Sequence, residues 1–597
     1  MSKHILNVVV LSLLVGVFFK NSSYASEKLD EVMYSKSELA GGFGNDISKE
    51  SLKSKVLAET ITKTGFKVIA TYNVGKAPHG LRLDGETVLV ALSGEDAIIR
   101  TNLKTGKEMS RWSVPGVPLG ITKSKNGWLV ATFRGEDIVE LDGLSGKQLE
   151  RWNVGKSPSL FTPYQAAGMT YITSEFGDQF TVFDPVKNEI VRTYRTGVRP
   201  YPADVTHDGV LAFIPNRTDN TVSVIDLLNE KELIRTKVCE GPEGGALVEG
   251  ENIYMVACGS GDEVMLINTA SFEVIASIKD GIGKRPFSVA ASEDGRFAFV
   301  NNAGGDTVSV IDIKTRKVVD KILVGKQPIV MRVYGNKLFV TNEVSGTLSV
   351  VEIPAATKAV VGTAKNEVLI LGMIHGRHNT SERYGLPYLK RVFNAVNADY
   401  VLVEISPNRM EETFKGFRET GEITEVRSKR FPEYFGALFP LWHEQNEKFE
   451  IIPTAGWNRP MADYRSATLR RLRNDPDRRG DWAEYTAANA ASNKASGDRR
   501  DDPYYVNSEQ YDLDAEIGLE PYARLFNDEI GPGGWTKINQ AHYNHIAKTL
   551  DRLKGQGKRI MITYGAGHKG WFLNELKKRD DIILLDPKPF LDAGQIK

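Results

Sequence analysis

The chain has 597 residues, more than one hydrophobic core usually organises, so at least two domains are expected. Lysine plus arginine and aspartate plus glutamate both number 76, so no bulk charge points to nucleic acid or to an acidic surface. Hydrophobic residues at 41% and charged residues at 25% are ordinary for a globular protein, whereas the 55 glycines imply many tight turns.

In chain order, the first element is a targeting segment. Lys3 and His4 precede an apolar stretch from Ile5 to Phe19, and Ser23-Tyr24-Ala25 has the small-x-small form of a cleavage site. The stretch is shorter than the roughly 20 apolar residues a membrane helix needs, so residues 1–25 read as a signal peptide and 26–62 as an N-terminal extension. The expected product is exported, periplasmic or extracellular, without stable membrane insertion. Cys239 and Cys258 are the two cysteines, and export permits a disulfide between them, two unpaired thiols being the alternative.

Residues 63–354 repeat. Turn prolines fall at Pro78, Pro118, Pro158, Pro200, Pro242, Pro286 and Pro328, four of them in a Val/Ile-Gly-Lys-x-Pro setting such as Val74–Pro78 or Val324–Pro328. Each unit carries four short β runs, the third clearest in Val222–Asp226, Val308–Asp312 and Leu348–Glu352. A period near 40 residues with four strands per unit marks a β-propeller blade, and seven units give seven blades. The last unit has three strands before Pro354, so a strand in Phe66–Val74 is expected to complete it and lock the ring, leaving no open edge. Leu338-Phe-Val-Thr-Asn342 and the Val-Ser-Val-Ile-Asp strands resemble the YVTN-type propeller repeat family. That resemblance implies a fold, and a protein or cell-envelope partner on a propeller face, but no activity. Lys76, Lys156, Lys284 and Lys326 stand at like turn positions on one face, where a basic ring would hold an anion, dock a second domain or simply sit in water.

A linker is expected at 355–366 and an α/β domain with a mainly parallel sheet at 367–597. Three continuous apolar runs there read as buried parallel strands. Val368–His375 closes on a histidine, Tyr400–Glu404 on a carboxylate, and Ile560–His568 on a second histidine in the same Gly-x-x-His wording as Gly372–His375. Ligands bind outside the carboxyl ends of such strands, so these side chains are expected to converge. Two histidines and a carboxylate suit a catalytic metal site with open positions for water. Arg409, five residues past Glu404, would pair with that carboxylate, bind a substrate anion or form a plain salt bridge. His378 and the pair His542 and His545 are further ligand candidates, and His443-Glu444 lacks the second histidine of a H-E-x-x-H motif. Tyr464 to Arg500 reads as exposed helices that would lie over the strand ends.

The two Gly-x-x-His motifs, Val403-Glu404 with Arg409 after it, and Leu585-Asp-Pro587 resemble the TraB/Tiki superfamily, which takes in ChaN-like and erythromycin-esterase (EreA)-like proteins. The resemblance covers about 367–410 and 558–590. Met373 stands where the family usually has threonine, and the family's Arg-Asn pair has no clean match. The resemblance implies a metal-dependent hydrolase of peptides or esters using manganese, cobalt or zinc, with His375, Glu404 and His568 as metal or base residues and Arg409 orienting substrate. Two alternatives stay open: a ChaN-like haem or metal carrier without catalysis, and an adaptor with an inert second domain.

Overall fold

The computed structural model describes residues 62–159, 166–248, 250, 252–355 and 362–595; the signal-peptide reading at 1–25 and most of the extension lie outside them. Seven four-stranded antiparallel sheets form the propeller. Each runs from its first strand, lined up against the first strands of neighbouring blades, to an exposed fourth strand. In all seven turns the residue before the proline has a left-handed φ: Ala77, Val117, Ser157, Arg199, Gly241, Arg285 and Gln327. That conformation reverses the chain, and the carbonyl of the same residue accepts a hydrogen bond from just beyond the second strand, as Ala77 does from the Ser93 amide at 3.0 Å. Closure is as expected: Lys67–Asn73 pairs antiparallel with Thr347–Glu352, so the first strand of the chain completes the last blade.

The second domain holds one five-stranded sheet of β1 (Asn366–Met373), β2 (Tyr400–Val403), β3 (Glu450–Pro453), β4 (Arg559–Gly565) and β5 (Ile582–Leu584). All pairings are parallel, in the order β3-β2-β4-β1-β5. Both faces are covered, one by a cluster with Leu389, Phe439 and Trp442, the other by one with Ile546, Leu550 and Phe572, which is why these strands are apolar throughout rather than alternating. The helices that matter to the site are α1 (Leu386–Val396), α2 (Pro407–Thr420), α3 (Arg459–Asn474), α4 (Arg479–Ser496), α5 (Glu509–Ile530), α6 (Trp535–Arg552) and α7 (Ala566–Leu576).

The domains dock through blades four to six. Met461 and Ile538 join the propeller core cluster of Phe213, Val222, Val224 and Tyr254, with Trp457 and Ala541 packed at its edge. Asn408 of α2 donates to Thr269 Oγ1 at 3.3 Å and accepts at its carbonyl from Asn268 at 2.9 Å. Arg316 pairs with Glu411 at 2.7 Å. These propeller groups sit at loops joining third to fourth strands, on the face opposite the turn lysines. The expectation that the lysine ring docks the second domain is therefore corrected: apolar burial, not a basic ring, makes this interface.

Candidate functional site

Because β4 lies between β2 and β1, the residues following these three strands are brought to one edge of the sheet. His375 opens a short turn with φ +50, a conformation few non-glycine residues adopt. Its Nδ1 is 2.7 Å from Glu433 Oε1, and its Nε2 is 3.8 Å from Glu404 Oε2. His568, in the first turn of α7, has Nδ1 2.7 Å from Asn539 Oδ1 and Nε2 4.0 Å from Glu404 Oε1. Asn539 spends its amide nitrogen on the Trp535 carbonyl, so its oxygen accepts and His568 Nδ1 carries the proton. Both imidazoles thus turn Nε2 toward a different oxygen of one carboxylate.

Glu404 is fixed from two directions. Its Oε2 accepts from the Gly565 amide at 2.8 Å, and its own amide donates to Tyr434 Oη at 2.8 Å, which in turn donates to the Thr563 carbonyl at 2.9 Å. The glycines of the repeated motif have reciprocal reasons. A Cβ on Gly565 would come within 2.5 Å of His375 Nε2, and a Cβ on Gly372 would meet Ala566 Cβ at 3.0 Å. Each glycine clears space for the other motif.

The two histidines are pushed in opposite directions. Burial lowers His375, but the Glu433 hydrogen bond and the charges of Glu404 and Glu433 outweigh it and raise the group to about 9. Burial lowers His568, reinforced by His375, and Glu404 offsets this in part. Groups whose environments separate them in this way fit complementary acid and base roles.

The remaining candidates divide clearly. His378 is buried with both nitrogens engaged, Nε2 accepting from the Ile374 amide at 3.0 Å and Nδ1 2.6 Å from the Tyr384 carbonyl, so it braces the turn. His542 accepts from the Gly456 amide at 2.7 Å and lies edge-on to His568, ring centres 5.2 Å apart, its Nε2 buried without a partner. His443 is exposed against Phe417. Arg409 does not reach Glu404; its guanidinium pairs with buried Glu425 at 2.5 Å. Glu433, Tyr434 and Asn539 were not picked out by the sequence, because none lies in a motif. Helices α3 and α4 are present where expected and pack with α5.

Among the described residues no group of three or more His, Cys, Asp or Glu is drawn together tightly enough to hold a metal ion. Tetrahedral ligands at about 2.1 Å from zinc stand about 3.4 Å apart, so the 3.8 and 4.0 Å separations need a closure of about half an ångström. The donor set itself fits: two imidazole nitrogens, one carboxylate, and a buried acceptor behind each Nδ1, the usual support of a ligating histidine.

No family model matches the chain, and no curated protein matches it. Among solved structures it is similar to virginiamycin B lyase from Staphylococcus aureus, at 15% identity and TM-score 0.42, covering 48% of this chain and 100% of that one. Hydrazine synthase of Kuenenia stuttgartiensis gives 15% identity and TM-score 0.42 over 48% of this chain and 98% of that one. A chain of the mitotic checkpoint complex gives 12% identity and TM-score 0.43 over 52% and 99%. The protein is a seven-bladed propeller joined to a distinct α/β domain, and likenesses this distant add nothing about its chemistry.

Proposed function

We propose that the chain is an exported protein whose α/β domain hydrolyses peptide or ester bonds with the help of a divalent metal held by His375, Glu404 and His568. The observation that carries this reading is the shared orientation of two imidazoles, each with Nδ1 tied to an acceptor and Nε2 turned to Glu404. Manganese, cobalt or zinc bound there would supply an activated water at neutral pH. Ligation by His375 needs its Nε2 free of a proton, so binding has to compete with the charge that Glu404 and Glu433 hold on that ring. Glu433 and Asn539 act as positioning residues, and Tyr434 holds Glu404 in register with β4. The propeller serves as the surface for a protein or cell-envelope partner. Arg409 is assigned to bracing α2 through Glu425 rather than to substrate.

The test is metal content by mass spectrometry on the full chain and on the His375→Ala/His568→Ala double variant, followed by a panel of peptides and esters. About one equivalent of metal, lost together with turnover in the variant, is the expected result. No metal after incubation with manganese, cobalt or zinc overturns the metallohydrolase reading. A Soret band with added haem and no turnover would move the assignment to a haem carrier.

A further inference from the structure

At the propeller mouth, on the lysine face, five polar or charged side chains from blades three to five form a cluster. Glu175 follows the second strand of blade three, and Arg217 follows that of blade four. Arg199 occupies a left-handed turn position at φ +61. Tyr201 and Glu243 each follow a turn proline, Glu243 on the innermost strand of blade five and Tyr201 just before that of blade four. Tyr201 touches Phe287 of blade six at 6.1 Å between ring centres, skipping a blade, so both rings project into the central channel.

The pairing within the cluster is incomplete. Arg199 donates from Nε to Glu175 at 2.6 Å, and Arg217 from Nε to Glu243 Oε1 at 3.0 Å. Arg199 lies over the Phe176 ring at 5.4 Å, and Arg217 over Tyr201 at 6.0 Å. Yet among the described residues Arg199 Nη2 and Glu243 Oε2 have no hydrogen-bond partner, although the residues are only 7% and 1% exposed. A cationic donor and a carboxylate acceptor are each left short of one contact.

The seven-fold repeat provides an internal control. Where Glu243 stands, other blades carry His79, Leu119, Ser159, Tyr201, Phe287 or Ile329, and where Glu175 and Arg217 stand they carry Ser93, Phe133, Gly259, Ala303 or, in blade seven, Glu343, which accepts from the neutral Gln327 rather than from an arginine. Blades one, two and six therefore close with no carboxylate or guanidinium at either position. Gly259 also leaves room for the Glu243 carboxylate, since a Cβ there would sit 2.8 Å from Oε1. Buried ion pairs are a poor source of stability, because apolar residues of similar volume do as well or better. Four charges gathered in three blades of seven thus call for a reason other than folding.

We propose that this mouth binds a small zwitterion of the amino-acid type, its carboxylate taken by Arg199 and its ammonium group by Glu243. The ligand offers the one acceptor and the one donor that the cluster lacks, and the rings of Phe176 and Tyr201 give its side chain an apolar shelf. Arg217, a quarter exposed, is the cover that yields on entry. A free amino acid and the end of a short peptide share this chemistry.

The full-length protein is titrated by calorimetry with glycine, L-leucine, L-phenylalanine and the dipeptide Ala-Phe, and with N-acetyl-L-phenylalanine and L-phenylalaninamide. Saturable binding of at least one zwitterion is expected, with either blocked form weaker by roughly tenfold or more, one charge-assisted contact being lost. Tighter binding of Ala-Phe than of L-phenylalanine identifies a peptide end as the ligand; the reverse identifies a free amino acid. The Glu175→Met/Arg199→Met double variant removes a whole ion pair and leaves no lone buried charge, and it should lose binding while keeping its circular dichroism. No saturation by any zwitterion at millimolar concentration, or blocked forms binding as tightly as the parent, overturns the proposal without recourse to any variant.

Discussion

Gly565→Ala tests the convergence of the strand ends with a single methyl group. The residue has φ −46, which alanine adopts freely, so no backbone strain enters. The added Cβ falls 2.5 Å from His375 Nε2 and 3.5 Å from Glu404 Oε2. The carboxylate is already at ordinary contact; only the imidazole has to move, by about 1 Å, to reach a normal carbon–nitrogen contact. Such a shift takes the 2.7 Å bond between His375 Nδ1 and Glu433 beyond useful length and leaves a carboxylate with no solvent exposure short of its partner. The cost is on the order of 1–3 kcal/mol, read as a lower urea midpoint at unchanged slope. The imidazole resonances of His375 should shift, and metal uptake should fall. Gly567→Ala is the control, because its Cβ meets only Trp535 Cη2 at 3.7 Å inside a helix, where alanine gains up to about 1 kcal/mol. If Gly565→Ala matches the wild type in urea midpoint and His375 resonances, the two motifs do not meet as described.

Three further outcomes follow from the same geometry. Cys239 and Cys258 are joined across 19 residues, so Cys239→Ser/Cys258→Ser should lower stability by on the order of 3 kcal/mol, measured by urea unfolding. Burial raises the Glu243 carboxyl from 4.5 to about 7 against the pull of Arg217 and Arg285. The fold keeps a proton that the unfolded chain gives up, so this contribution falls as pH rises from about 4.5 to about 7 and is level above, by up to about 3 kcal/mol; the difference between wild type and Glu243→Gln across that window measures it. Arg409→Met leaves Glu425, 4% exposed, without its guanidinium and should cost about 3 kcal/mol in thermal or urea unfolding while metal content stays unchanged; loss of metal with no loss of stability would instead place Arg409 in the site.

The propeller was legible because its information is periodic: turn prolines, strand wording and a last blade short of one strand give the blade count and the closure together. In the second domain β1, β2 and β4 were legible as unbroken apolar runs, since both sheet faces are covered. Strand β3 was not, because Glu450-Ile-Ile-Pro453 offers only two apolar residues. The three ligand-type residues could be found as strand-end residues, whereas Glu433 and Asn539 could not. A second partner of a histidine is chosen by where a loop or helix returns in space, and nothing in Phe431-Pro-Glu-Tyr434 fixes its spacing to His375. The docking face escaped notice for a similar reason. The turn lysines are conspicuous in the sequence, while the residues that bury the interface, Met461 and Ile538, read as ordinary helix-face apolar positions.

Blades four and five each reach both the mouth and the interface with the α/β domain, and blade five shows the connection along one sheet. Glu243 begins its innermost strand at the mouth, and Thr269, at the other end of the same sheet, receives the hydrogen bond from Asn408, four residues past Glu404. Trp457 continues the contact, packed on the blade-four and blade-five core and 6.3 Å from the His542 ring that faces His568. Contact alone does not couple two sites, because coupling requires an element with two arrangements that each ligand weights differently. The Cys239–Cys258 bond ties the entry of blade five to its second strand, and the sheet between mouth and interface is a continuous four-stranded ladder. Such a sheet transmits position rather than switching. The propeller therefore holds α2 and α3 where Glu404 and His542 need them, and a ligand at the mouth is expected to leave the His375 and His568 imidazole resonances, and any metal uptake at the proposed site, unchanged.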